Sequence, residues 1–519
     1  MIESLSHPVF HDLQYSFEHY ADRIAVIDKD GCKYTYAEFE QFILGAYQNL
    51  LEKGIKKGSK VLVAVPMSME LYAILEALFA FGATAIFLDP WMKGKKMGSV
   101  INQVKPDLFI VTKKLSRITW LLPATWALDK WKVNGATKNS DQSLELASIY
   151  KALDVKDEDN ALITFTSGTS GEPKGANRTF SFLYAQAETL KAHLGTNAPP
   201  SIDYTNFPIV GLAAFALGNS VAIPQINLMK LHQSNSQEVI EQITKQEVDR
   251  LIVSPSLLRK VLETISNNHS IKTVMTGGAP ISIQLVKTAL EKCPTIYFEA
   301  IYGSTEAEPI CITTFTEINN QLEQPLKGVY VGAPVKEVQV KIVDYTLEKP
   351  SDYKDGIIDA NDFIKRQLPP GYIGEIVVTG DHVNKNYYKN PKAFKLNKIV
   401  DKDGEIWHRT GDIGYLEEDV LYLVGRDHRI MHDTDKDYHP YPIEQFLELK
   451  FGISDLGYIQ NIDGDFCLFY FSHKDFDESE IKLAIEGSSY PIDKIIKTKK
   501  PLRRDARHKS KLQIEDLVL

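Results

Sequence analysis

The run Ile163-Thr-Phe-Thr-Ser-Gly-Thr-Ser-Gly-Glu-Pro-Lys-Gly175 constrains this chain more than any other. An apolar strand breaks into small hydroxyl residues and glycines and closes on one lysine. Gly168 and Gly171 let backbone N–H groups turn toward a common anion. Thr166, Ser167, Thr169 and Ser170 add hydroxyl donors, and Lys174 adds a point charge suited to the outer phosphates of a nucleotide. The order is not Gly-x4-Gly-Lys-Ser/Thr, because Lys174 follows Pro173 and precedes Gly175. A Ser/Thr/Gly stretch alone would be a surface loop. Donors at this density, followed by Pro-Lys-Gly, read as a phosphate-binding loop at a strand end.

Other apolar runs extend the sheet to which that strand belongs. Lys60–Val65, Ala85–Leu88, Asp107–Val111, Ala161–Phe165, Arg250–Val253 and Thr273–Met275 read as buried strands, each ending near Pro, Gly, Ser or Asp. Helical patterns lie between them. Ser254 caps one, Pro255 takes its first position, and Leu257, Leu258, Val261 and Leu262 mark its apolar face. This alternation predicts doubly wound α/β sheets. Leu71–Leu88 is the most apolar stretch, but it holds Glu76 and breaks at Gly82, so a buried helix followed by a strand is expected, not a membrane span.

The 519 residues exceed one compact core, so two or more domains are expected. From Gly371 the pattern turns strand-rich, with Gly374–Gly380 and Val420–Val424. Beyond Gly425 it mixes a strand, Asp465–Phe471, with helical stretches at Ile443–Leu449 and Glu478–Ile485. The polar Gly425-Arg-Asp-His-Arg429 marks the boundary. A net charge of -9 argues against an electrostatic nucleic-acid binder. Cys32, Cys293, Cys311 and Cys467 are scattered without a CxxC pair, which points to free thiols in a reducing compartment. The first residues carry neither a basic nor an apolar signal region, so a cytoplasmic protein without a transmembrane segment is expected.

The phosphate loop is followed in order by Tyr302-Gly-Ser-Thr-Glu306, Thr410-Gly-Asp412 and Gly425-Arg426. This series resembles the adenylate-forming superfamily of acyl-CoA synthetases, luciferases and peptide-synthetase adenylation domains, across nearly the whole chain. The resemblance implies a large, multi-subdomain N-terminal domain with doubly wound sheets over residues 1–424. A hinge at 425–429 and a small, mobile α+β C-terminal domain over 430–519 complete it. It implies that a carboxylate attacks the α-phosphorus of ATP, with Mg²⁺ present, giving acyl-AMP and pyrophosphate.

Roles follow from the same resemblance. Thr166 to Gly171 and Lys174 hold phosphates. Gly277, Gly278 and Ala279 would on their own be a turn; here they form a flat wall against adenine. Glu299, Ala300, Tyr302 and Gly303 belong to the nucleotide site, with Tyr302 stacked on adenine. Thr305 bonds the α-phosphate and Glu306 holds Mg²⁺. Asp412 accepts both ribose hydroxyls, although Gly-Asp by itself is a common surface turn. Arg426 gives a second ribose or phosphate contact, and His428 is the pivot. The basic run Pro501–Leu512, otherwise a solvated charge run, carries the catalytic lysine. Lys511 is chosen for it, with Lys509 as competitor, because Lys-Ser-Lys replaces the usual Ser-Gly-Lys. Phe207, Val210 and Gly211 line the acyl pocket, in a stretch that reads equally as plain core.

Three departures separate the chain from ordinary acyl-CoA ligases. Phe207-Pro-Ile-Val-Gly211 lacks the usual histidine. Thr179-Phe180 replaces Thr-His. Met431–Pro442 has no glycine and carries Asp433, Asp435 and Asp437. These resemble the β-lactone synthetases of olefin biosynthesis, as do Tyr302–Pro309, Trp407-His-Arg409 and Asp505–Lys511. That branch implies a long-chain 3-hydroxy acid whose own hydroxyl closes the ring, with no need for CoA. The alternative is a fatty- or aryl-acid CoA ligase, or an acyl-AMP ligase loading a carrier protein. A dead nucleotide-binding protein is disfavoured by Lys174, Glu306, Asp412 and Lys511. A homodimer or a pathway-enzyme partner is left open.

Overall fold

The computed structural model describes residues 7–89, 92, 94–139, 141, 143–167, 173–194, 200–227, 231, 233–266, 269–345, 360–434, 436–453, 455–461, 463–504 and 512. The chain divides into two compact units. The first comprises Met1–Val253, Glu263–Val274 and Asp381–Phe394. The second comprises Ser254–Leu262, Met275–Gly380 and Lys395–Leu519.

In the first unit, one sheet runs in the order Lys130–Val133, Leu108–Thr112, Lys60–Ala64, Thr84–Leu88, Asn160–Ser167, Pro173–Thr179. All neighbours are parallel except the last pair. A second group joins Arg250–Val253, Ile202–Thr205, Ser220–Ala222 and Ile24–Ile27 in parallel, with Lys33–Thr35 antiparallel at its edge. The expected buried helix is Met69–Ala80; Gly82, at φ +63°, ends it before Thr84–Leu88 begins. Nearly every residue of this helix is buried, Glu76 included, and burial pushes the Glu76 carboxyl up to about 8. No helix among the described residues is long and apolar enough to cross a membrane.

One local expectation needs correction. Pro173–Thr179 is a strand paired antiparallel with Asn160–Ser167, not the tail of a loop. Its Gly175 stands opposite Phe165, and a Cβ there would fall 2.8 Å from Phe165 Cζ. The aromatic ring fills the space that the glycine leaves, so the strand continues where composition suggests a turn.

In the second unit, Val329–Gly332, Val420–Arg426, Ile406–Glu417, Gly374–Thr379 and Gln339–Val343 form an antiparallel sheet, with Lys398–Val400 also on Ile406–Glu417. Tyr297–Ser304 and Ala307–Thr314 pair antiparallel as a tight hairpin. Beyond it, Asp455–Gln460, Phe466–Phe471 and Lys494–Lys497 form a three-stranded sheet. The helices Pro440–Phe451 and Glu478–Ile485 cover it, around a core that includes Ile443, Leu447, Tyr458, Leu468 and Ile481. Gly425 and Arg426 end a strand, and Asp427–Arg429 is a single 3-10 turn. Arg429 is buried, 2.5 Å from Glu444 Oε1 through Nη2.

The sheet also buries Glu375, which Arg409 clamps through Nε at 2.8 Å and through Nη2. Burial raises the Glu375 carboxyl above its usual range, and the Arg409 charge opposes that rise. Arg409→Ala should cost about 3–5 kcal/mol of stability, because it strands a buried carboxylate. A raised folded-state pKa means that the folded form holds its proton more tightly, so stability is gained as pH falls. The deficit of Arg409→Ala should therefore shrink in mild acid. Denaturant unfolding at neutral and acidic pH measures both; a deficit that does not change with pH would refute the account.

Candidate active site

Thr166 and Ser167 close the strand Asn160–Ser167; Gly168, Thr169, Ser170 and Gly171, expected in the phosphate loop, lie with residue 172 outside the described residues. Lys174 is held on the neighbouring strand opposite Thr166, 9 % exposed, with Nζ 6.0 Å from the Tyr387 ring centroid. A brace supports this strand from its other side. Tyr388 N donates to Gly175 O at 2.9 Å, and Asn384 Nδ2 donates to Asn177 O at 2.8 Å. Ala176 bridges to Tyr387. Sequence reasoning missed Asn384 and Tyr387. Their only signal was an Asn-rich, aromatic turn, Asn384-Lys-Asn-Tyr-Tyr388, far along the chain from the lysine.

In the second unit, Asp412 sits in a β-bulge. Arg409 pairs with Val377 and Ile413 with Glu375, so Thr410, Gly411 and Asp412 together stand opposite Ile376. Gly411 takes φ +70°, a left-handed conformation that glycine adopts without strain. Thr410 Oγ1 donates to Ile376 O at 2.9 Å and accepts from Asp412 N at 3.0 Å, which locks the bulge. A bulge re-aims the side chain that follows it. Here it turns the Asp412 carboxylate, 6 % exposed, between two partners. Arg426 Nε lies 2.9 Å from Oδ1, and Tyr302 OH donates to Oδ2 at 2.9 Å.

Burial, and then the Asp412 charge, push the Tyr302 hydroxyl well above its usual value, so it stays a donor. The Asp412 carboxylate raises Arg426 further still. Each carboxylate oxygen keeps a second lone pair, so Asp412 can still accept two hydroxyls. Tyr441, on the helix Pro440–Phe451, is raised by burial and then by the Asp412 charge. Sequence reasoning missed Tyr441, because no motif marks it.

Tyr302 lies on the strand Tyr297–Ser304 with half-buried Glu299 and buried Ala300. Gly277 ends the strand Thr273–Gly277; a Cβ on it would come within 2.7 Å of Ile301 O, so the backbones approach closely there. Gly278 follows at φ +78°, with Ala279 half-buried. Gly303 is equally confined, its absent Cβ 2.7 Å from Ala307 O. Thr305 and Glu306 are the two turn residues that join this strand to Ala307–Thr314. Beside them, Ser304 Oγ is buried without a hydrogen-bond partner among the described residues. Among the described residues no group of three His, Cys, Asp or Glu could hold a metal. A single carboxylate such as Glu306 could hold Mg²⁺ only together with substrate phosphates, as such ions are often held.

Phe207 precedes the helix Pro208–Ala216, and its N donates to Thr205 Oγ1 at 3.1 Å. Val210 is half-buried. Gly211 is buried beneath Tyr72, whose Oη would lie 2.1 Å from a Cβ at that position. His428 stands beside Asp427, Nδ1 to Oδ1 3.0 Å. Lys509 and Lys511 lie outside the described residues. Their neighbour Leu512 is buried, bridges to Arg504 and packs with Ile459 and Leu502.

Residues 13–388 match the AMP-binding enzyme family, and the chain belongs to it, as an ATP-dependent, adenylate-forming acid ligase. Olefin beta-lactone synthetase from Stenotrophomonas maltophilia is 26 % identical over 72 % of this chain and 68 % of its own length. Probable CoA ligase CCL5 from Humulus lupulus is 25 % identical over 87 % of this chain and 81 % of its own length. ATP-bound MatB from Rhodopseudomonas palustris shares the fold, with TM-score 0.78 at 17 % identity, covering 99 % of this chain and 98 % of its own.

If Asp412 accepts both ribose hydroxyls, Asp412→Ala should raise the KM for ATP on the order of a hundredfold, since two hydrogen bonds to a charged group would be lost. Tyr302→Phe should cost less, because Arg426 still holds the carboxylate in place. ATP titrations of the two variants test this ordering; an unchanged KM in Asp412→Ala with normal turnover would remove Asp412 from the site.

Proposed function

We propose that this enzyme adenylates a long-chain 3-hydroxy acid and closes the acyl-AMP to a β-lactone, releasing AMP. The observation that carries the reading is kinship with an olefin beta-lactone synthetase over 72 % of the chain. The hairpin Met431–His432 with Asp437–Tyr438 lends support. Asp437 accepts from Tyr345 OH at 2.9 Å and faces His432 Nδ1 at 2.7 Å, while Asp433 is exposed and Asp435 lies outside the described residues. A tied acidic hairpin stands where thioester-forming relatives would need a flexible, glycine-rich path, and its carboxylates disfavour the phosphates of CoA.

In this reading a carboxylate oxygen of the substrate attacks the α-phosphorus, and the bond to pyrophosphate breaks. Lys174 and Thr305 bind the phosphates, Glu306 takes Mg²⁺, and Asp412 with Arg426 holds the ribose. Lys511 bridges the carboxylate and the α-phosphate as charge builds. The substrate's 3-hydroxyl oxygen then attacks the acyl carbon. Its proton is lost, the acyl–phosphate bond breaks, and AMP leaves. Holding the hydroxyl beside the carbonyl makes this step intramolecular, at an effective concentration no external thiol matches.

A second reading, ligation to CoA, draws on the Humulus relative, which covers more of the chain. Product analysis separates the two. With a racemic 3-hydroxy fatty acid, ATP and Mg²⁺, the lactone should appear with AMP and pyrophosphate at a rate indifferent to CoA. A 3-hydroxyacyl-CoA as main product, without lactone, would restore the ligase reading.

Lys511→Ala should abolish acyl-AMP formation while ATP still binds, because the lysine acts mainly in the transition state. Lys509→Ala should be mild. Reversed effects in pyrophosphate-exchange assays would move the catalytic lysine by two residues.

A further inference from the structure

The segment 112–132 of the first unit does not serve the nucleotide site, and it is unusual. Trp120 is 66 % exposed, Trp126 63 %, Leu121 59 % and Ile118 53 %, with Leu115 exposed beside them. Five large apolar side chains within so short a stretch exceed the scattered exposure of an ordinary surface. They are also held in place. Thr112 caps the turn Lys113–Ser116, and the 3-10 turns Thr119–Leu121 and Pro123–Thr125 follow. Thr119 Oγ1 donates to Ser116 O at 2.9 Å, and Thr125 Oγ1 donates to Leu122 O at 2.8 Å and Thr119 O at 3.1 Å. Trp126 Nε1 donates to Trp120 O at 3.1 Å. With that N–H already satisfied, the indole can leave water without stranding a donor. The helix Gly94–Val104 backs the platform, Gly94 lying alongside Leu122 and Gly98 alongside Ala124.

Charge sets the class of partner. Residues 113–132 carry five basic side chains, Lys113, Lys114, Arg117, Lys130 and Lys132, against one acidic, Asp129, in a chain of net charge -9. Lys113, Lys114 and Arg117 are exposed and interleave with Leu115, Ile118 and Trp120; Lys95 is exposed on the backing helix. Tryptophans with a satisfied or headgroup-bonded N–H, short aliphatic anchors and flanking cations are the features that seat a protein at a membrane–water interface. We propose that this platform docks the enzyme on the surface of an anionic phospholipid bilayer, the indoles and aliphatic tips entering the interface and the cations meeting headgroup phosphates. The proposal is independent of which acid the enzyme activates.

Co-sedimentation of the full-length protein with vesicles tests it. Binding to phosphatidylcholine–phosphatidylglycerol vesicles should exceed binding to phosphatidylcholine alone, and should weaken with salt. The double variant Trp120→Ala/Trp126→Ala and the triple variant Lys113→Glu/Lys114→Glu/Arg117→Glu should each lower partitioning by about tenfold or more. Both should keep wild-type circular dichroism and wild-type activity on a soluble short-chain acid, since every changed residue is exposed. Wild-type protein that ignores both vesicle types would overturn the proposal, as would binding that neither variant weakens. A dimer that dissociates in the tryptophan variant, with no vesicle binding by the wild type, would overturn it in favour of an interface between two copies of the chain.

Discussion

The second unit depends on how one strand, Ile406–Glu417, disposes of its charges. Two carboxylates are buried along it, Glu375 from the adjacent strand and Asp412 from its own bulge. Neither could be buried alone, because an unpaired ion in a low-dielectric interior costs several kcal/mol. Arg409 answers the first and Arg426 the second. The register is what makes both answers available. Arg409 stands next to Glu375 only while Val377 opposes it, and Asp412 meets Arg426 only across the pairing with Val420–Arg426. A slip by one residue would turn every side chain to the other face. The ion pairs therefore act as register locks as much as sources of stability, and the bulge between them turns a sheet residue into a ligand-facing one.

The same logic explains how far the sequence could be read. Strands with a plain apolar signature are placed almost to the residue. Arg250–Val253 matches, and Lys60–Ala64 ends one residue short of its expected limit. The helix–glycine–strand reading of Leu71–Leu88 is met by Met69–Ala80, Gly82 and Thr84–Leu88. Glu478–Ile485 is helical as its pattern suggests. What composition hides is pairing. Pro173–Thr179 carries Pro, Lys, Gly, Asn and Arg, all weak strand formers, and is a strand because Phe165 covers Gly175 and the segment 384–388 bonds its other side. Local propensity loses to contacts made across more than two hundred residues of chain.

The site shows the same division. Tyr302, Asp412 and Arg426 were legible as separate short motifs, and they meet within hydrogen-bonding distance. Their arrangement was not legible. Thr-Gly-Asp looks like a surface turn because its middle residue is a glycine, yet that glycine serves a bulge inside a sheet. Tyr441 and Tyr387 carry no motif, and only the fold brings them near Asp412 and Lys174. Residues whose role depends on partners distant in sequence leave no local periodicity to detect, whereas a phosphate loop writes its whole function into a dozen consecutive positions.

Small residues and rigid caps recur wherever this chain must bring a functional group to a fixed place. Gly277 and Gly303 let backbones close to distances that any side chain would block, Gly277 against Ile301 O and Gly303 against Ala307 O on the returning strand. Gly211 accepts the Tyr72 ring directly against the helix Pro208–Ala216, so the helix wall expected to face an acyl chain is shaped at that point by a tyrosine from another element. A Cβ on Gly98 would sit 3.8 Å from Ala124 Cβ, an ordinary contact, so the packing of that helix against the tryptophan platform does not depend on this glycine. At Gly277, Gly303 and Gly211 the glycine is the permissive partner, and a backbone carbonyl or the Tyr72 ring occupies the space a side chain would need. A substitution at one of these three glycines would therefore act by displacing the strand or the tyrosine packed against it.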